Sequence, residues 1–236
     1  MTHQDADARE IAVTQSAPNS NSTITRLILV PSLITLAVTL LRLVGELEHW
    51  SRAFFNPEAG GLWSIVGITW LPLVFGIYFA VKLVRRGEVP ASSWKAILVA
   101  VLGWVLIFAS QFLGRKYVYP HGFKATLIFL WAMWGLAGLI QLWGWPGLFK
   151  VLLGYGYAAR VPVVIVMFLA FQGHWGTHYD AFPRGWQSAG LWSDFLWLGF
   201  VPQMVFWVGF TVAAGALFGS VVGAIVHALR RAPQPA

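Results

Sequence analysis

Titratable side chains cluster where the first long apolar run of the sequence ends. On a helix of 3.6 residues per turn, Arg42, Glu46 and His49 lie on one stripe. Glu48 and Arg52 form an i, i+4 pair on a second stripe. Charged groups are costly at a membrane boundary, so these positions need a physical reason. Glu46 and His49 have the spacing with which one helix offers a carboxylate and an imidazole to a single metal ion.

The longest polar connection between apolar runs, residues 173–194, carries a second set of such groups. His174 and His178 have an i, i+4 spacing that would suit a metal on a helix, but the glycines beside them favour a loop. Imidazole and carboxylate together suit zinc, iron or manganese better than calcium. If successive apolar runs cross a membrane in turn, both sets leave it on the same face. The candidate metal ligands are Glu46, His49, His174 and His178.

These residues also have a simpler interpretation, which we prefer. The i, i+4 charges can form ion pairs within a helix at the interface, and histidine beside tryptophan is typical of an aromatic belt. The sequence assigns no catalytic residue and no cofactor. The absence of cysteine excludes disulfides and thiolate metal sites. Candidate contacts for a ligand or lipid are Arg42, Arg160 and Asp180.

The composition indicates a membrane protein. The chain has 236 residues, of which 58% are hydrophobic and 11% charged, and its mean hydropathy is +0.67. Soluble domains have about 25% charged residues. Several apolar runs approach the length that spans a bilayer. We therefore expect an all-α integral membrane protein, a bundle of about six transmembrane helices with one or two interfacial helical segments.

The apolar runs and their breakers set the expected boundaries. The expected spans are residues 27–47, 62–84, 94–113, 125–145, 160–175 and 202–229. The first helix is expected to continue in water to Phe54, because Asn56 and Pro57 form the first strong stop. Pro72 predicts a kink in the second span, or neighbours that re-satisfy the freed carbonyl. Polar tails are expected on either side of a single membrane domain over residues 25–231: a disordered one over 1–24 and a short one over 232–236.

Two arrangements are open for the region after Pro146. We prefer an interfacial segment at 147–158 followed by a span that begins at Arg160, since its side chain then reaches the headgroups. A single helix over 148–172 would instead bury Arg160. Residues 191–200 are expected to be an interfacial approach to the last span. In that span, Gly215, Gly219 and Gly223 form a ridge that allows close helix packing.

The basic residues flank the apolar runs, which indicates topology and headgroup contact rather than nucleic-acid binding. Their excess on one side predicts cytoplasmic N- and C-termini in a multi-pass inner (plasma) membrane protein of bacterial type. The expected function is that of a structural or accessory protein that binds lipid, a partner membrane subunit or a second copy of itself. The alternative is a membrane enzyme or metal-binding protein with a His/Glu site on the outer face. A small-solute transporter is a second alternative, although no span carries a central carboxylate.

Overall fold

The computed structural model describes residues 20–60 and 64–231, which form helices and connecting loops without a strand. The helices are α1 (Ser20–Leu47), α2 (Leu71–Arg85), α3 (Ser93–Leu113), α4 (Phe123–Leu139), α5 (Pro146–Gly173) and α6 (Leu191–Arg231). The expected C-terminal tail and residues 1–19 lie outside the described residues. Residues 20–24, which the sequence assigned to the N-terminal tail, are the start of α1.

In the part of the chain that the structure describes, five helices are long and apolar enough to cross a membrane. They are α1 from Ile24, α3 extended to His121, α4 extended to Trp143, α5 and α6, with mean hydropathies between 1.7 and 2.3. The all-α membrane bundle expected from the sequence is confirmed, and the chain is a multi-pass membrane protein.

The second expected span, residues 62–84, is wrong as a single helix. Of residues 64–84, only those from Leu71 onward are helical, and α2 as a whole has 15 residues, fewer than the roughly 20 that span a bilayer. Residues 64–70 are held in a non-helical path, because the Ser64 hydroxyl donates to Phe54 O and the Val66 N–H donates to the same carbonyl. Pro72 lies in the first turn of α2, where its missing N–H is tolerated, so it forms no kink.

The first helix ends at Leu47 rather than at Phe54. His49 adopts a left-handed conformation with φ of 53°, and the Trp50 N–H donates to Gly45 O at 2.8 Å, which closes the helix end. The chain then turns back, and the Phe55 ring packs directly on Gly45, where a Cβ would overlap it.

The preferred division of the region after Pro146 is wrong, and the single-helix alternative holds. Helix α5 runs without a break for 28 residues and buries Arg160. The expected interfacial approach at 191–200 is likewise part of α6, which is one continuous helix of 41 residues. Gly156 suits the interior of α5 because α6 passes close to it: a Cβ there would lie 3.3 Å from Val208.

Glycines set the closest contacts in the bundle. A Cβ at Gly76 of α2 would overlap the backbone of Gly215 in α6, and one at Gly219 would lie 2.7 Å from Gly76 O. A Cβ at Gly223 would lie 2.7 Å from the Trp145 ring. The small-residue ridge of α6 is therefore buried against α2 and the start of α5, as close packing of membrane helices requires.

Candidate ligand cavity

The loops after α1 and α5 and the start of α4 lie at one end of the bundle, which we call the loop face. The 174–190 loop contacts the end of α1 through His178 and Glu46, whose side chains are hydrogen-bonded. The same loop reaches the start of α4, where the Trp186 and Phe123 rings are 6.2 Å apart. The expectation that these polar sets share a face agrees with these contacts.

Glu46 is the centre of a buried polar group at the loop face. It is only 4% exposed, and Arg42, one helical turn earlier, donates from Nε to Oε1 at 2.8 Å. The backbone N–H of His178 donates to Oε2 at 2.8 Å, and His178 Nδ1 lies 2.7 Å from Oε1 and 2.8 Å from Oε2. Arg42 also donates to Asn56 O at 3.1 Å. The Arg42–Glu46 pair thus ties α1 to both loops.

The loop conformation around His178 is fixed by local hydrogen bonds. Asp180 accepts from the backbone N–H groups of Gly176 and Thr177 and from the Thr177 hydroxyl, at 2.7–2.9 Å. The Tyr179 hydroxyl donates to Thr39 O of α1 at 3.1 Å. Burial lowers the pKa of His178, and its hydrogen bond to Glu46 offsets part of that effect. Near neutral pH the imidazole is therefore uncharged, with Nδ1–H donating to the carboxylate.

A cavity of about 320 Å³ extends from this group into the bundle. Loop residues line its end at the loop face: Ala59, Gly60, Ala181 and Pro183. Its apolar walls include the aromatic side chains of Phe123, Trp131, Phe171, Trp197, Phe206 and Trp207. Its polar lining consists of Thr39, Arg42, Thr69, Arg160, His178, Tyr179 and Gln203.

Arg160 lies at the deep end of the cavity. It is 13 residues before the end of α5 at Gly173, roughly 20 Å along the helix axis. Its Nη1 donates to Gln203 Oε1 at 3.1 Å, and its guanidinium lies 4.9 Å from the centre of the Trp207 ring. Its Nε is buried without a hydrogen-bond partner. Within residues 20–60 and 64–231, no carboxylate lies within 4 Å of this side chain.

The backbone of α6 widens where it lines the cavity. Residues Phe195–Phe200 and Pro202–Trp207 are π-helical, with normal α-helix after them. Gln203 and Trp207, which hold Arg160, both belong to the second of these segments. π-Helical turns in long helices are frequently found at functional sites, because the extra residue redirects side chains.

Only some of the residues that the sequence singled out lie together in the structure. It brings Glu46 and His178 together, and it places Arg42 and Arg160 in the cavity lining, whereas Asp180 only shapes the loop. No three His, Asp or Glu side chains in the described ranges are arranged to hold a metal ion. His49 and His174 are exposed and each follows the end of a helix in a left-handed conformation. The four-residue metal site stays a prediction that this geometry does not favour.

Most residues of the site were not assigned to it from the sequence, among them Tyr179, Gln203 and Trp207. Tyr179 follows a candidate histidine directly, and Gln203 is an uncharged polar residue next to a proline within an apolar run. A buried amide in such a run needs a partner, which is the signal that could have identified Gln203. Of the two expected ion pairs, Arg42–Glu46 is present, whereas Glu48 and Arg52 are exposed and lie beyond the end of α1.

Comparison of this chain with family models, with curated proteins and with solved structures found no match. The cavity and its side chains are therefore the basis for the functional proposal.

Proposed function

We propose that this protein is an accessory membrane protein that binds an amphipathic molecule, such as a lipid, in the cavity at its loop face. The observation that carries the proposal is the cavity itself: about 320 Å³, walled by aromatic rings and set among membrane-crossing helices. Binding sites for small organic ligands typically start at about 300 Å³ and combine apolar walls with a few placed polar groups.

The distribution of polar groups supports an amphipathic ligand rather than a wholly apolar one. Polar side chains lie at two levels, near the loops (Arg42 and His178) and near the middle of α5 (Arg160). The remaining lining is mostly aromatic and aliphatic. A lipid or lipid-like molecule has both kinds of surface, and the membrane supplies such molecules at high local concentration.

In the test, a tryptophan substitution fills the cavity. Bound lipid is then counted by native mass spectrometry of protein released from detergent micelles. Leu127 lines the cavity, whereas its neighbour Ile128 faces outward and is 53% exposed. We expect wild type and the Ile128→Trp control to retain a bound amphiphile that survives micelle removal. We expect Leu127→Trp to lose it, and retention by that variant at the wild-type level would contradict the proposal.

A second candidate function is acid–base chemistry on the bound molecule, supported by the Glu46–His178 pair. A carboxylate that holds Nδ1 of a cavity-lining imidazole leaves Nε2 free to accept a proton. This hypothesis predicts that His178→Gln changes the chemical identity of the recovered ligand, with the unreacted form accumulating. The same ligand mass in wild type and variant leaves binding as the function.

A further inference from the structure

Among the residues that the structure describes, Arg160 is a buried cation without an anion. It is 4% exposed, it lies among membrane-crossing helices, and its hydrogen bond to Gln203 and its contact with Trp207 are both to uncharged groups. Its Nε–H has no acceptor within residues 20–60 and 64–231. Charged side chains within membranes are normally paired, and those that are not mark a binding or transport site. A ligand that satisfies Arg160 therefore has to supply both a negative charge and a hydrogen-bond acceptor.

The other charges around the cavity are already compensated. Glu46 neutralises Arg42, the second arginine in the lining. Asp180 is used by its own loop, and Asp194 accepts from Trp186, Ser188 and Ala189. With His178 uncharged, the buried lining carries one positive charge in excess, located on Arg160.

We propose that Arg160 and Gln203 form the binding subsite for a negatively charged head group of the ligand, which makes the ligand class an amphipathic anion. This inference rests on the proposed function and names the chemistry of its ligand. A carboxylate or a phosphate ester on an apolar body supplies both the charge and the acceptor oxygens that the guanidinium lacks. The aromatic walls take the apolar body, and a hydrated inorganic ion would leave them uncovered.

Gln203 is able to contribute to this subsite. Its Oε1 holds Arg160 Nη1, which orients the guanidinium, while its Nε2 donates only to Met167 Sδ at 3.5 Å. A thioether is a weak acceptor, so an anionic oxygen of the ligand replaces it at little cost. Gln203 thereby positions the arginine and offers a second donor.

The experiment compares ligands that differ only in the head group. Wild-type protein is titrated with oleate, oleyl phosphate and oleyl alcohol, and binding is measured by native mass spectrometry. Acetate and inorganic phosphate are added as competitors to distinguish a lipid head group from a free anion. Hydrogen bonds to charged groups imply that oleate or oleyl phosphate binds at least about tenfold more tightly than the alcohol. Displacement of oleate by acetate or phosphate alone would overturn the amphipathic class.

Three variants identify the residue responsible. Arg160→Gln is expected to reduce binding of the anions to the level of the alcohol. Gln203→Glu places a carboxylate beside Arg160 and is expected to do the same. Detectable binding of oleyl alcohol by both variants guards against a folding defect. Arg115→Gln, an exposed site at the end of α3, removes the same charge elsewhere and is expected to match wild type.

The two proposals fail in different ways. Equal binding of oleate and oleyl alcohol by the wild type overturns the anion subsite alone. Tight oleate binding by both Arg160→Gln and Gln203→Glu does the same. If none of the three long-chain probes binds, or if Leu127→Trp leaves all of their binding unchanged, the proposed function is wrong as well.

Discussion

Glu46 receives hydrogen bonds from a helix neighbour and from a loop 132 residues away in sequence. Replacing it with glutamine leaves Arg42 as an uncompensated buried cation and weakens the anchor of the 174–190 loop. Removal of one partner from a buried pair costs about 3–5 kcal/mol of stability. We therefore expect Glu46→Gln to lower the unfolding temperature in detergent markedly. Glu48→Gln, at an exposed position two residues later, is the control and should match wild type, and equal stability of the two variants would show that the pair is not structural.

The lowered pKa of His178 gives a pH dependence of stability. Below the usual imidazole pKa of about 6.5, the unfolded chain takes up a proton that the buried imidazole resists, so the free energy of unfolding decreases as the pH falls. Arg42 opposes the added charge, whereas Glu46 and Asp180 favour it. We expect wild type to lose more thermal stability than His178→Gln between pH 7.5 and 5.5, values chosen to bracket that pKa. If the wild type were instead more stable at pH 5.5 than at pH 7.5, values that bracket the imidazole pKa of about 6.5, the imidazole would be protonated in the folded protein.

The part of this site that the sequence predicted is the part that is local in the chain. Arg42 and Glu46 are one helical turn apart, so helix geometry alone brings them together. The choice between His49 and His178 as the partner of Glu46 depends on where α1 ends, and the left-handed turn at His49 removes that side chain from the stripe. Arg160 and Gln203 are 43 residues apart on two helices, and only the packing of α5 against α6 brings them together.

At the scale of the helix, the contact between α2 and α6 depends on the absence of side chains. Alanine at Gly76 would force its Cβ into the Gly215 backbone, which cannot yield as a flexible side chain does. Overpacking of this kind typically costs about 1–3 kcal/mol. We expect Gly76→Ala to lower the unfolding temperature in detergent and to reduce the yield of folded protein.

Gly154→Ala is the matched control for that change. It also lies within a helix, but its Cβ would meet only the side chains of Ile24 and Ile28, at 3.5 and 3.6 Å. Ordinary contact together with the better helix propensity of alanine predicts a neutral or slightly stabilising effect. A loss of stability in Gly154→Ala equal to that in Gly76→Ala would contradict the packing explanation.

Hydropathy and spacing predicted the spans of α1, α3 and α4 closely and those of α5 and α6 only in their later parts, because a bilayer requires every spanning backbone to satisfy its own hydrogen bonds. The errors lie where tertiary contacts override local pattern. Residues 64–70 are apolar enough for a span, but Ser64 ties them to the loop after α1. Glycines within 147–158 argued for a break in α5, but they allow close approach of neighbouring helices instead.

At the scale of the whole molecule, α2 and the residues before it carry the chain from the loop face to the opposite end of the bundle, although α2 alone is too short to span a bilayer. The chain passes from the loop face through the non-helical residues 64–70 and then through the 15 residues of α2. At about 1.5 Å per helical residue and at most about 3.3 Å per extended one, these two segments together cover the roughly 30 Å of a bilayer core. The end of α2 then meets the end of α6, where Arg230 donates to Val84 O at 2.8 Å.

Both described ends of the chain therefore lie opposite the loop face. The start of α1 contacts the first half of α5 through Ile24 and Gly154, and the end of α6 lies beside the end of α2. Basic residues are concentrated on this side, including Lys82, Arg85, Arg86, Arg230 and Arg231. The excess of lysine and arginine on cytoplasmic loops predicts that this side faces the cytoplasm and that the cavity opens outside.

Single cysteines test this arrangement cleanly, because the native chain contains none. Ser51 and Gln187 are exposed at the loop face, and Ala91 is exposed between α2 and α3. We expect Ser51→Cys and Gln187→Cys to react with a membrane-impermeant maleimide in intact cells, and Ala91→Cys to react only after permeabilisation. The inverse pattern would reverse the orientation but keep the fold, since all three positions would exchange sides together. Labelling of Ser51→Cys and Ala91→Cys from the same side would instead show that α2 does not complete a crossing. The loop face would then not be a single face, and the cavity between its loops would lose its structural basis.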